Sequence, residues 1–225
     1  MRVTVVIPAL NEEAAIGGVV REIPRGLVDE VIVVDNGSAD RTAEIAAAAG
    51  ARVVSEPIRG YGAACLAGVL AAGDADILVF LDGDHNDDPA ELPRVLGPVL
   101  AGEADLVLGT RVGKAARGAL TLQQRVGNRV VTALVRALYG VRLTDIGPFR
   151  AIRTRALLEL GMEHKTYGWP VEMVVKAARC GCRILEVPVS CRRRLGRSKV
   201  AGTLKGSVLA GYHLLLTTVR YAWRQ

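Results

Sequence analysis

An α/β fold with a mostly parallel central sheet flanked by helices is predicted by three observations. Short, unbroken apolar runs rich in Val, Ile and Leu recur along the first half of the chain, as strands covered on both faces do. Each run ends in Asp, Asn, Gly or Pro and leads into a helical pattern, which is βαβ alternation. Half of the 225 residues are hydrophobic, with no repeat, low-complexity linker or clear boundary, so one large domain with a sizeable core is expected over 1–225.

Taken in order, 3–7 is the first strand. Pro8-Ala9-Leu10-Asn11-Glu12-Glu13 follows, then a helix over 14–22 with Asn11 as N-cap and both glutamates at its positive end. This turn is neither the Gly-x-Gly-x-x-Gly of a dinucleotide site nor a phosphate-wrapping P-loop. The second strand, 30–34, ends in Asp35. A carboxylate there can accept hydrogen bonds from a ribose or a base, or serve the turn alone. Ser38 or Asp40 caps a helix over 41–49, Gly50 stops it, and 51–55 is the third strand. Arg59-Gly60-Tyr61-Gly62 opens a helix over 63–72, where glycines let backbone N–H groups approach an anion.

Residues 77–84 read Ile-Leu-Val-Phe-Leu-Asp-Gly-Asp, taken as the fifth strand of the series. An open α/β sheet binds ligands at the carboxyl ends of its strands. Gly83 permits a sharp bend, so that Asp82 and Asp84 point at a common spot. Two such carboxylates repel unless a proton or cation lies between them, and hard oxygen ligands select Mg2+ or Mn2+ shared with substrate phosphates. The alternative is a surface Asp-Gly turn with solvated acids. Asp88-Pro89 opens the next helix, and a strand over 105–109 delivers Thr110 and Arg111.

Beyond this point the chain is basic. A loop is expected over 114–121, then a helix over 122–139 carrying Arg125, Arg129 and Arg136. A short strand, 149–152, precedes a helix over 154–160. Tyr167-Gly168-Trp169-Pro170 opens a helix that carries Glu172 and runs to Arg179. A strand over 183–189 leads to Arg192-Arg193-Arg194-Leu195-Gly196-Arg197-Ser198-Lys199. An apolar-leaning helix over 203–223 closes the chain, fit either to pack on the sheet or to lie at a membrane interface.

Residues 1–110 hold 7 Lys and Arg against 18 Asp and Glu, a net −11; residues 111–225 hold 22 against 5, a net +17. The acidic half suits a metal; the basic half suits a phosphate, a nucleic acid or a membrane surface. The alternative outside enzymes is a nucleic-acid or anionic-membrane binding module; that only 4% of residues are aromatic and no stacking motif is present argues against nucleic acid. The N-terminus is too short and too soon polar for a signal peptide, and no apolar run is long enough to span a membrane. The four cysteines, with Cys180-Gly181-Cys182 lacking zinc-knuckle spacing, are expected to be reduced structural thiols in a cytoplasmic protein.

Together these motifs resemble inverting family 2 glycosyltransferases of the GT-A fold, over nearly the whole chain. The resemblance rests on Pro8…Asn11-Glu12, Asp35…Ser38-Ala39-Asp40, Arg59-Gly60…Gly62 and the Asp82/Asp84 pair. It continues through Gly109-Thr110-Arg111, Asp145…Gly147…Phe149-Arg150, Gly168-Trp169…Glu172 and Arg193…Gly196…Ser198-Lys199. Within the family the chain is most similar to polyprenyl-phosphate sugar synthases of the dolichyl-phosphate mannose type. The resemblance implies a nucleotide-sugar donor, a UDP- or GDP-sugar, held by Pro8, Leu10, Glu12, Asp35, Arg59, Asp82 and Gly83. It implies metal ligation by Asp82 and Asp84, with Asn86 a candidate third ligand. It implies that Arg111, Arg125, Arg193, Ser198 and Lys199 hold the acceptor phosphate or the leaving diphosphate. Residues 1–110 then form the nucleotide and metal half and 111–225 the acceptor half, working at the inner face of the cell membrane as a peripheral protein. A polyprenyl phosphate is already anionic and needs no general base; a soluble hydroxyl acceptor does, and Asp145 and Glu172 are the candidates.

Overall fold

Side chains alternate across a strand, so unbroken apolar runs feed two cores at once. The computed structural model describes residues 1–113, 115, 122–195, 216–218, 220 and 221. Seven described strands form one sheet: β1 Val3–Ala9, β2 Glu30–Asp35, β3 Arg52–Ser55, β4 Ile77–Phe80, β5 Leu106–Thr110, β6 Arg150–Arg153 and β7 Ile184–Pro188. Val3, Val5 and Ile7 of β1 and Ile77 and Val79 of β4 face helices α1 Ile16–Glu22, α2 Thr42–Ala48 and α4 Leu92–Leu100. Val6, Leu78 and Phe80 face the other way, toward α3 Tyr61–Ala71, α5 Leu122–Tyr139, α6 Thr154–Leu160 and α7 Trp169–Arg179.

The strand order is β3-β2-β1-β4-β6-β5-β7. The chain builds outward from β1 to β3, then crosses to the far side of β1 for β4. That reversal opens a crevice at the carboxyl ends of β1 and β4. Among the described strands only β6 runs against its neighbours, pairing antiparallel with both β4 and β5. The sheet is therefore mostly parallel and lies in a single α/β domain to which both halves of the chain contribute strands.

Several local expectations need correction. The Asp82-Gly83-Asp84 segment follows the fourth strand, because β3 passes into α3 with no strand between. The chain turns at Gly83-Asp84 as expected, and His85, whose φ is 62°, continues the bend in the left-handed region. A Cβ on Gly83 would sit 3.3 Å from the Ile16 side chain, so the glycine there serves packing against α1. Asn11 is not an N-cap: with φ 49° it uses its N–H on Ser38 Oγ (2.8 Å) and its Oδ1 on the Ala39 N–H (2.7 Å). It ties the loop after β1 to the loop after β2, and α1 starts only at Ile16.

Of the closing helix, 216–218, 220 and 221 are helical, and Thr217, Thr218 and Tyr221 are buried. Tyr139 Oη donates to Thr218 O (2.6 Å) and Arg179 to Tyr221 O (2.7 Å), so this piece packs on α5 and α7. The rest of that helix, and all but one residue of the loop expected over 114–121, lie outside the described residues. No described helix is long and apolar enough to cross a membrane.

Candidate active site

A cavity of about 360 Å³ occupies the crevice at the switch point. Pro8, Leu10 and Glu12 line it from the end of β1, Asn36 from the end of β2, and Arg59, Gly60 and Tyr61 from the start of α3. Asp82, Gly83 and Asp84 contribute from the end of β4, Thr166 and Tyr167 from the loop before α7, and Arg194 from the segment after β7. Asp35 is not among the lining residues. Its carboxylate, half-buried at the end of β2, accepts the Ser38 N–H at 3.2 Å. A wider depression, about 600 Å³, lies around Asp74, Asp76 and Glu159, at the opposite end of β4 and away from the Asp82/Asp84 pair.

Backbone contacts shape the cavity wall. Asn36 donates to Glu56 O (2.9 Å) and Ile58 O (2.8 Å) and accepts from the Gly60 N–H (2.8 Å), which fixes the turn carrying Arg59. A Cβ on Gly60, where φ is 149°, would come 2.1 Å from Lys165 O, and one on Gly62 would come 1.9 Å from His164 O. Glycine alone lets the 164–167 loop lie on the start of α3 and bring Thr166 and Tyr167 to the wall.

The acids sit close together. Asp82 Oδ1 accepts from Tyr61 Oη at 3.0 Å. Lost hydration pushes its carboxyl up to about 8, and repulsion from Asp84 and Asp87 adds to the rise. Asp84 accepts the Asn86 N–H at 3.0 Å and pairs with Arg194 at 3.2 Å. Asp87 is 2% exposed, with neither carboxylate oxygen bonded among the described residues. Burial raises it to about 7 against the pull of Arg111. This excess of oxygen donors and negative charge fits Mg2+ or Mn2+ at Asp82 and Asp84. No three His, Cys, Asp or Glu side chains among the described residues form a ready cage, so remaining ligands would come from substrate phosphates and water. Asn86 does not complete the set: its amide donates to Arg192 O (2.6 Å) and accepts from Cys191 Sγ (3.4 Å).

Asp145 and Glu172, the two base candidates, are both committed elsewhere. Asp145 is fully buried and bound by Arg111 through Nε (2.7 Å), Nη2 (2.9 Å) and the backbone N–H (3.0 Å), with Asn128 also donating. Burial alone would raise its pKa; the Arg111 guanidinium holds it below the usual carboxylate value. Arg111 is spent on the same pair, so neither is aimed at the cavity. Glu172 is fully buried at the start of α7. It takes the N–H groups of Glu163 (2.9 Å) and His164 (2.8 Å), Tyr221 Oη (2.7 Å) and Lys176 Nζ (2.9 Å). It clasps the 163–167 loop from behind. Arg125 and Arg193 are exposed and outside the lining set. Ser198 and Lys199 lie outside the described residues.

Three residues with no role assigned from sequence stand out. Tyr61 bonds Asp82. Arg194 reaches Glu12 and Asp84. Arg150, 1% exposed and paired in register with Phe80, donates to Pro170 O (2.9 Å) and Gly147 O and leaves a buried positive charge near Asp82.

Residues 4–161 match the family model described as glycosyl transferase family 2. A glycosyltransferase of Mycobacterium tuberculosis is 43% identical over 92% of this chain and 94% of its own length. A dolichyl-phosphate hexose transferase of Haloferax volcanii is 38% identical over 87% and 85%, and an undecaprenyl-phosphate mannosyltransferase of Micrococcus luteus 32% identical over 93% and 91%. The solved glucosyl-3-phosphoglycerate synthase of M. tuberculosis, in complex with Mn2+, UDP-glucose and phosphoglyceric acid, superposes with a TM-score of 0.79. It is 31% identical over 98% of this chain and 79% of that one.

Proposed function

The chain belongs to glycosyl transferase family 2, and from that premise we propose that this glycosyltransferase moves a sugar from a nucleotide-diphosphate-sugar to a polyprenyl phosphate. Asp82 and Asp84 hold Mg2+ or Mn2+ against the donor diphosphate, and the cavity between Pro8, Leu10, Glu12 and Arg59 takes the nucleotide, with Asp35 beside it. A divalent ion there offsets the charge that develops on the departing nucleoside diphosphate. Donor chemistry is supported by the solved synthase bound to Mn2+ and UDP-glucose.

The acceptor reading is carried by one observation. Both carboxylates that could deprotonate a hydroxyl, Asp145 and Glu172, are locked in buried ion pairs, and Asp87 is sealed from the cavity. A phosphate oxygen is already a nucleophile and needs no such base. The basic second half supplies charge through Arg125, Arg193 and Lys199, and a hydroxyl through Ser198, for an anionic lipid headgroup at the inner face of a membrane. The lipid-phosphate relatives, matched over most of their length, agree. The solved synthase favours a second reading, a small phosphorylated hydroxyl acceptor.

The test is a donor-by-acceptor matrix: UDP- and GDP-sugars, with Mn2+ or Mg2+, against a short-chain polyprenyl phosphate and 3-phosphoglycerate. The expected product partitions into organic solvent and forms only with the lipid. Sugar transfer to 3-phosphoglycerate alone would replace the first reading by the second.

A further inference from the structure

Residues 191–195, which follow β7 by two residues, run as a strap along the acid-bearing loop. Cys191 bridges Asp87 in antiparallel register, the Arg192 N–H donates to Asn86 O (2.6 Å), and the Leu195 N–H donates to Asp84 O (3.1 Å). Side chains repeat the pattern with charge. Arg192 pairs with Glu22 and Asp88, each at 2.7 Å, and Arg194 spans from Glu12 to Asp84. Arg194 thus already holds one of the two carboxylates assigned to the metal. Its Nε is buried with no acceptor among the described residues, so its donors are not all satisfied where it rests.

A guanidinium and a divalent ion compete for the same carboxylate oxygen. We propose that Arg194 is a tethered cation that shares Asp84 with the divalent ion, a positioning residue that holds the acid in place until the metal displaces it. The strap makes this displacement local: freeing the Asp84 carboxylate requires breaking the Arg194 pair, while the Leu195 N–H bond to Asp84 O anchors the strap that carries Arg194. The inference rests on the reading of Asp82 and Asp84 as metal ligands and adds a competitor to it.

The sign of the effect separates this role from a structural one. Loss of a residue that merely shapes the site weakens metal binding; loss of a competitor tightens it. The measurement is Mn2+ titration of the donor-free protein, by calorimetry or by the free-ion paramagnetic resonance signal. Arg194→Gln is expected to bind Mn2+ about tenfold more tightly, the factor if the guanidinium occupies Asp84 about nine-tenths of the time. Arg194→Lys, which keeps the charge, stays closer to the wild type. Leu195→Pro removes the N–H that anchors the strap to the Asp84 main chain, leaves both carboxylates in place, loosens the hold on Arg194 and also tightens binding, so it decides the matter if Arg194→Gln does not fold. Wild-type binding that is lost in Asp84→Asn, with no tightening in Arg194→Gln or Leu195→Pro, overturns the inference alone. No Mn2+ binding by the wild type, with or without UDP present, overturns the metal reading and the inference with it.

Discussion

Asp87 carries its charge at a cost, because water is excluded and neither oxygen finds a donor among the described residues. Its carboxyl moves from 3.8 to about 7. An acid with a raised folded pKa keeps a proton that the unfolded chain releases, so stability falls as pH rises from about 4 to about 7 and the loss is complete above that. Asp87→Asn removes the loss. Urea unfolding should show it more stable than the wild type at pH 8, by up to about 4 kcal/mol, with the gap closing toward pH 4. An equal gap at both pH values would mean that the carboxylate is not buried as described. At this scale the sequence placed Pro8, Leu10, Glu12, Arg59, Asp82, Gly83 and Asp84 well enough that all seven line one cavity. The resemblance supplied this set; the ends of β1 and β4 and the start of α3 bring its members together, while Asp35 at the end of β2 falls outside the lining. The sequence did not single out Arg194 within Arg192-Arg193-Arg194, because only the paired conformation of the strap decides which of three like side chains turns inward.

The 163–167 loop is held from two sides, by Glu172 at the start of α7 and by the bare backbone of Gly60 and Gly62 at the start of α3. Glu172→Gln keeps the shape and removes the charge that Lys176 and the two N–H groups serve. Breaking a buried pair of this kind costs about 3 kcal/mol. The expected outcome is a lower melting temperature, with donor affinity and turnover falling together as Thr166 and Tyr167 lose their place. Lost turnover at unchanged donor affinity would instead restore Glu172 as a base. Helices α5, α6 and α7 lie where the sequence predicts them, since a Thr or a Gly-Trp-Pro start and a Gly or polar stop punctuate each apolar pattern. The antiparallel direction of β6 was not predicted. Four residues of apolar and basic character fit either direction, and only the partners on each side choose.

Across the whole molecule, the acidic and basic halves do not form separate lobes. Strands β6 and β7 of the basic half sit in the same sheet as β1 to β5, and Arg192 and Arg194 close onto acids of the first half. The chain as a whole keeps a net charge of +6. Sedimentation with vesicles should therefore show binding to phosphatidylglycerol-containing membranes at low salt that falls severalfold at 0.5 M NaCl, and little binding to neutral ones. Salt-insensitive binding would point to apolar insertion by the closing helix. The antiparallel β6 also bears on biogenesis. Phe80 leaves the ribosome 70 residues ahead of Arg150, the residue that will cover its flank. At ~5–20 residues per second, an Ile-Leu-Val-Phe edge waits bare for roughly 4–14 s. That interval exposes an adhesive ribbon to every other nascent chain nearby. Raising chaperone supply during translation should therefore lift soluble yield in a host cell more than stabilising the finished protein does, a comparison that expression trials read directly.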